Sequence, residues 1–544
     1  MRSIWRVLAS LCLLPAQGWP AGDAIDAAAG MSIYRDGLLA SGRPVLATAQ
    51  KGVVLSGSAA ACVNCHRRSG LGGSEGQSNV RPIAGRFLFS SPPNDVGRRW
   101  RVPAAGAATR PAYDDRSLGR ALRDGIDPSG RALDALMPRY ALSDEEITGL
   151  RAYLEGLSPP TVAGVNGREI HFATVIAPGV DAGRRRAMLD VLQTFIRDKN
   201  GGTRHEARRR ELGTEQMYQS WRSWILHVWE LNGAPESWRA QLDAFYERQP
   251  VFALIGGMGG GSWQPMHAFC EEAAVPCLFP DVDHPVNEGA GYYSLYLSRG
   301  AALEAEVLAR HIVQTGVGTG AIVQVYRDDE RGRLPAAAMR DALRRRGVEA
   351  VTDYPVAEGR PLSAGFWAGL LDAARPGVLV LWLDAADVLS LTAMGEPPAG
   401  LQSAYLSARV FAPQQASVVP GNWLERLRLV DLFELPDRRD RHLARMNAWL
   451  RVRNVPLADQ RTQANAYFAV TIAGDAMASL GENFSRDYLI ERVEHMTGSS
   501  PAASIYPRLS LGPGQRFASR GGYILGFPQK SAGMPVPISD WLVP

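Results

Sequence analysis

Cys62-Val63-Asn64-Cys65-His66 sets two thiols three residues apart, with an imidazole directly after the second. On a helical turn, side chains three apart share one side. Both sulfurs can then bond the two vinyl groups of one porphyrin while the next side chain offers nitrogen to the iron. This is the attachment pattern of a covalent haem c. A zinc half-site would need two further ligands at short spacing, and none lies nearby. A redox dithiol is the other alternative, and it has no use for the histidine. The reading is one covalent haem c on Cys62 and Cys65, with His66 as the proximal iron ligand.

The elements that would position this group follow. Met137 sits in a loop closed by Pro138, and Ser143 heads a helix with Asp144, Glu145 and Glu146 in its first turn. Ile147, Leu150, Tyr153, Leu154 and Leu157 then recur at helical spacing. The stretch resembles the class I cytochrome c family. That resemblance implies an all-α domain, with Met137 as the distal haem ligand. A lone methionine is otherwise a core filler, but no histidine between His66 and His171 competes for the place. His/Met ligation raises the reduction potential relative to two histidines. Gly30 to Gly37, with Tyr34, is similar to the first helix of the family, and Arg81 to Gly85 to the segment that packs on the proximal histidine. A loop insertion is expected over 90–113 and a helix over Ser117 to Asp124. The domain is expected to span 22–158.

The 544 residues fit two or three domains. All but three of the 59 basic residues are arginine, yet the net charge is only +4. Runs such as Arg184-Arg185-Arg186 therefore read as solvated helix faces, and nucleic acid is not expected as a partner. Arg2 and Arg6, the apolar run Val7 to Leu14, and small residues at Ala16, Gly18 and Ala21 read as an export signal over 1–21. No segment is long enough to span a membrane. The expected location is the periplasm, the compartment where haem is attached to such motifs.

Ser158-Pro159-Pro160-Thr161 stops the preceding helix, and a linker is expected over 159–167. Over 168–544 the pattern changes to short apolar runs alternating with amphipathic helices: Glu169 to Ile176, Val251 to Ile255, Ala321 to Tyr326 and Val378 to Trp382. Such runs indicate parallel α/β units in two Rossmann-like lobes. Ala253 to Gly257, Ala274 to Pro280, Tyr326 to Arg333 and Asn465 to Val470, in that order, are similar to the Leu/Ile/Val-binding branch of type I periplasmic binding proteins. An extra helix is expected within 203–240, carrying Trp221, Trp224, Ile225, Val228 and Trp229 as packing.

The resemblance implies a small ligand held between the lobes, its carboxylate on hydroxyl and amide groups, with a tyrosine covering it from the second lobe. The glycine run Met258 to Gly261 opens a helix with Ser262 as its expected cap, and free amides there suit an anion. The hydroxyl positions after the next strand hold Asp281 and Asp283, and the tyrosine position falls on or beside Arg331. Two acids facing a cleft repel a carboxylate and suit a cation, a metal or a polyol. Alternatively they only cap a turn before Pro285. Cys270 and Cys277 are disulfide candidates in an oxidising compartment, the alternatives being buried thiols or a redox pair.

The chain thus reads as a non-enzymatic, exported fusion of an electron-transfer cytochrome with a solute-binding domain. Its expected partners are a periplasmic dehydrogenase or oxidase and a small solute. The alternative is a substrate-binding receptor of an ABC-type importer, docking on its permease, with an accessory haem. A haem catalyst is disfavoured, because His/Met ligation leaves no open iron position.

Overall fold

A computed structural model describes residues 21–75, 78–90, 110–157, 159, 161–202, 222–287, 291–316, 320–392, 395–411, 419–498, 503–527 and 534–544. The expected export signal (but for Ala21), Trp221 and most of the expected insertion at 90–113 lie outside the described residues. The chain divides into two compact units, Met1–Thr161 and Val162–Pro544.

The first unit runs α1 (Ala21–Asp36), β1 (Leu46–Thr48), β2 (Val54–Ser56), α2 (Val63–His66), β3 (Gly73–Glu75), β4 (Ser78–Val80), α3 (Gly85–Leu88), α4 (Asp115–Asp124), β5 (Arg139–Tyr140) and α5 (Asp144–Gly156). Reciprocal capping starts both long later helices. The Asp114 carboxylate and the Ser117 hydroxyl exchange backbone amides at α4, and Ser143 and Glu146 do so at α5. The unit departs from an all-α domain: β1 pairs antiparallel with β2 and β5, and β3 with β4. These strands are two or three residues long, and β1 and β2 are largely exposed.

Helix α1 packs tightly on α5. A Cβ on Gly30 would stand 2.0 Å from the Gly149 carbonyl oxygen, so only glycine fits there. One turn later the fully buried Tyr34 tilts on Tyr153, ring centroids 5.2 Å apart, and its hydroxyl donates to the Arg67 carbonyl at 2.7 Å.

The second unit begins earlier than the expected linker allows. The His171 amide donates to the Gly164 carbonyl at 2.8 Å, and Gly164 sits against the backbone of Val251 and Phe252. Its first lobe holds β6 (Glu169–Ile176), α6 (Ala182–Gly202), β7 (Ser223–Glu230), α7 (Trp238–Arg248), β8 (Ala253–Ile255), β9 (Met258–Gly259), α8 (Gln264–Glu272), β10 (Cys277–Leu278), β11 (Asp281–Val282) and β12 (Ser294–Leu295). Its strands are parallel, with β7, β6, β8, β10 and β12 side by side and β9 and β11 paired beyond the tips. A disulfide joins Cys270 on α8 to Cys277 on β10. The extra helix expected within 203–240 is instead β7: Trp224, Ile225, Val228 and Trp229 lie on a strand paired over eight residues with β6. Aromatic and β-branched side chains fit a pleated surface better than a helix.

The second lobe follows with α9 (Ala301–Thr315), β13 (Ala321–Arg327), α10 (Glu330–Arg344), β14 (Val351–Val356), α11 (Ala364–Ala374), β15 (Pro376–Trp382), α12 (Ala385–Thr392), β16 (Ser403–Ser407), α13 (Gly421–Leu424) and β17 (Leu427–Asp431). The parallel order β14-β13-β15-β16-β17 repeats the winding of the first lobe. β15 and β16 are buried along their whole length, as strands covered on both faces must be. After α14 (Pro436–Val452), helices α15 (Gln460–Leu480) and α16 (Arg486–Thr497) return to the first lobe, where α15 packs on α6. β18 (Tyr523–Gly526) and β19 (Val536–Pro537) extend the second sheet antiparallel. The crossing segments bond to one another: the Glu434 amide donates to the Ile505 carbonyl at 2.8 Å, and the Ala518 amide to that of Tyr296 at 2.9 Å.

Replacing Gly30 by Val should destabilise the first unit by about 1–3 kcal/mol, because neither helix backbone can yield. Urea unfolding followed by circular dichroism measures this, and a wild-type midpoint would show that the contact is not tight.

Candidate functional site

The first candidate site is the turn at α2. Cys62 caps it, and the His66 amide donates to the Cys62 carbonyl at 2.9 Å. Arg67 ends it with a φ of 62°, and the Tyr34 hydroxyl holds its carbonyl. Cys62 and His66 are buried, while Cys65 is exposed. The His66 Nδ1 lies 3.1 Å from the Arg81 carbonyl oxygen. A carbonyl only accepts, so Nδ1 carries the hydrogen and Nε2 keeps its lone pair. Burial pushes the imidazole down to about 4, against the raising effect of that hydrogen bond, and so keeps it neutral. Burial likewise pushes the Cys62 thiol up to about 12. Met137 packs on the same apolar cluster that holds Cys62, Tyr34 and Tyr153. Two thiols on one turn, a neutral imidazole with a free nitrogen and a thioether beside the same core form a donor set that fits one haem c.

The second candidate site lies where the two sheets meet. In open α/β sheets, ligands bind beyond the carboxyl ends of the strands, where the strand order reverses. Gly256 and Gly257 leave β8 with φ of 65° and 114°, and a Cβ on Gly257 would come within 3.1 Å of the Trp263 ring. Glycine is required there. Beyond β10, Asp281 is buried and receives four groups. The Arg184 Nη2 donates to its Oδ2 at 3.1 Å, the Thr462 hydroxyl to Oδ2 at 3.0 Å and the Asn465 Nδ2 to Oδ1 at 2.9 Å. Arg461 stands 3.3 Å from Oδ1. Arg461 also donates to Asp283 at 2.8 Å. Across the cleft, Arg409, just beyond β16, donates to Asp283 and at 3.0 Å to Glu304, which also accepts from the Ser407 hydroxyl at 3.0 Å. Burial raises the Asp283 carboxyl, but Arg409 and Arg461 outweigh it and hold the group well below the usual carboxylate range. Asp281 is lowered in the same way, Arg461 and Arg184 overcoming its burial.

The structure therefore brings Asp281 and Asp283 together and saturates them with arginine, which removes the expected affinity for a cation or metal. Among the described residues, no group of three or more His, Cys, Asp and Glu is set to hold a metal ion. Arg331 does not join them. It is 69% exposed and pairs with Asp329 at 3.0 Å, because Asp329 caps α10 and draws the first-turn arginine outward. Ser262 is not the cap of α8. Its hydroxyl accepts from the Gln264 amide at 3.3 Å, while Trp263 occupies the capping position. Arg184, Glu304, Arg409, Arg461 and Thr462 escaped the sequence reading, since their partners lie 97 to 181 residues away or across the cleft. Asn465 stood in a recognised segment, but nothing local marked it.

A family profile described as periplasmic binding protein matches residues 230–522, more than half of the chain. The chain belongs to this family. Among solved structures, it is similar to a branched-chain amino acid ABC transporter protein from Thermus thermophilus with bound valine, at 14% identity and a TM-score of 0.50, covering 69% of this chain and 97% of that one. It is also similar to a fatty acid ABC transporter substrate-binding protein from Thermomonospora curvata, at 14% identity and a TM-score of 0.49 over 70% of this chain and 94% of that one. A solute-binding protein from R. palustris in complex with benzoate follows at 13% identity and 0.48, over 69% and 97%. At such identities the first likeness speaks to fold alone. No curated protein matches. Among the described residues, no helix of this periplasmic binding protein is long and apolar enough to cross a membrane.

Two outcomes are expected of the cleft. Arg409→Gln leaves Asp283 and Glu304 facing each other with one cation fewer, and should cost about 3–5 kcal/mol of second-unit stability in tryptophan-monitored denaturation. Adding Glu304→Gln should restore part of it. Asp431, at the end of β17, has its carboxyl pushed up to about 6 by burial, which outweighs the Phe433 amide and Arg439. Its contribution is complete below the unfolded value near about 4 and lost as pH rises through about 6. Thermal unfolding from pH 3.5 to 7 should show this loss, and Asp431→Asn should flatten it. A slope unchanged by that replacement removes Asp431 from the account.

Proposed function

We propose that this chain is an exported solute receptor of the ABC-importer type, whose second unit closes on a small polar solute and whose first unit carries one haem c. The observation that carries the receptor reading is the pair of identically wound lobes, with strand ends opposed across a cleft crossed by three chain segments. Family membership supports it, and so does the export signal read from the N-terminal sequence. A membrane permease is then the protein partner, and the periplasm the working compartment. Recognition and release need no bond chemistry, so no enzymatic step is assigned.

The haem proposal rests on the donor set at α2. Cys62 and Cys65 would hold the group covalently, with His66 and Met137 on the iron. Bound there, haem c supplies one-electron exchange. His66 is oriented for this by the Arg81 carbonyl, and the turn is braced from α1 by Tyr34. The redox reading, in which the chain passes electrons to or from a periplasmic dehydrogenase or oxidase, is kept for this reason alone.

One preparation tests both readings. Full-length protein matured with its haem should show a solute-dependent rise in melting temperature, and a redox titration with and without that solute reports whether the units are coupled. Failure of every solute tried would count against the receptor. Met137→Ala should lower the reduction potential and alter the reduced spectrum; if neither changes, Met137 is not a ligand.

A further inference from the structure

The ionic cluster in the cleft is balanced. Asp281, Asp283 and Glu304 meet Arg184, Arg409 and Arg461, three charges of each sign. A ligand bringing a net charge into this desolvated place would find no uncommitted counter-charge. Beside the cluster runs a small crevice lined by Asp281, Tyr296, Ser298, Asn465 and Tyr506, with room for one water-sized group.

Two buried atoms at this place lack a hydrogen-bond partner: the Asn465 Oδ1 and the Arg461 Nε. Asn465 is only 3% exposed. Its orientation follows from chemistry, since Asp281 accepts only. The amide must turn Nδ2 toward that carboxylate, at 2.9 Å, which leaves Oδ1 free to accept. Arg461 spends Nη2 on both aspartates and keeps Nε as an unused donor. Residues 461 and 465 are four apart on α15 and so lie on one side of the helix. Asn465 lines the crevice and Arg461 does not, so the crevice presents the Asn465 Oδ1 as an acceptor, and leaving it buried unpaired costs about 1–3 kcal/mol. A hydroxyl can donate to it without bringing a charge. A carboxylate cannot donate to Asn465, and an ammonium brings a charge that the balanced cluster does not counter.

We propose that the cleft is selective for a small uncharged polyhydroxylated solute, one hydroxyl of which enters the crevice and donates to the Asn465 Oδ1. This rests on the receptor reading and names its ligand class. Asn465 is the specificity-determining residue for the hydroxyl, whose proton it accepts, while the balanced cluster disfavours charged analogues. Tyr506 and Ser298 line the same crevice.

The test uses the full-length protein and isothermal titration with three matched sets of probes. Glycerol, erythritol and xylitol are the neutral set, glycerate and erythronate the anionic set, and 2-amino-1,3-propanediol the cationic one; valine is a further control. The expected result is binding of at least one neutral probe, at least tenfold tighter than any charged probe. Asn465→Ala should weaken it at least tenfold, and Tyr506→Phe, which keeps the ring and the packing, by a few fold. Charged probes or valine binding as tightly as the neutral set would overturn the proposal and leave the receptor reading standing. Neutral binding unaltered in a folded Asn465→Ala protein would also overturn it, because the crevice would then hold only water. Failure of every probe would overturn the proposal alone, since the receptor reading is tested separately by the melting-temperature screen over other solutes.

Discussion

Six charges gathered where two parallel sheets end are the constraint on which the second unit depends. Taking an ion out of water costs several kcal/mol, and only near-perfect pairing recovers it. Arg461 spans both aspartates, Arg409 ties Asp283 to Glu304, and Arg184 closes the far side of Asp281. The groups come from both lobes and from the returning helix α15, so the cluster forms only when the chain has folded across the cleft and back. Removing one member leaves a buried charge rather than a missing contact. The cluster therefore ties the two lobes together and leaves the cleft electrically balanced.

The first unit is organised by steric closeness instead. Gly30 and Gly149 let α1 and α5 approach until backbone meets backbone, and that approach carries Tyr34 to the carbonyl that ends the Cys62–His66 turn. Arg81 holds the imidazole from the other side. A glycine and a tyrosine one turn apart on α1 thus act together: the first permits the crossing, and the second uses it to fix the donor turn. The packing that stabilises this unit also orients its chemistry.

On the proposed reading the chain would have two equilibria, solute binding and reduction. If they are linked, each shifts the other by the same free energy. The second unit offers the means for a large response, because its lobes are joined by three crossing segments and held by pairs that a solute must accommodate. The first unit offers a buried imidazole, His66, that burial keeps neutral.

Much of this was legible in the residues alone. The Cys62-Val63-Asn64-Cys65-His66 spacing, the Ser143 cap, the buried parallel strands and the repeated α/β order are local patterns, and local geometry decides them. The stretch at 223–230 misled because its apolar residues fit a helical stripe, while the unsatisfied edge of β6 made it a strand. The cleft was half legible. Asp281 and Asp283 stood out as acids where hydroxyls belong, but their partners did not, since Arg184, Arg409 and Arg461 look like any solvated arginine in an arginine-rich chain. Charge alone cannot tell a buried ion from an exposed one. Sequence determined which groups could do chemistry at each end of the chain. Only tertiary structure decided that the acids of the cleft are already neutralised, because that depends on residues brought together from 97 to 184 positions apart.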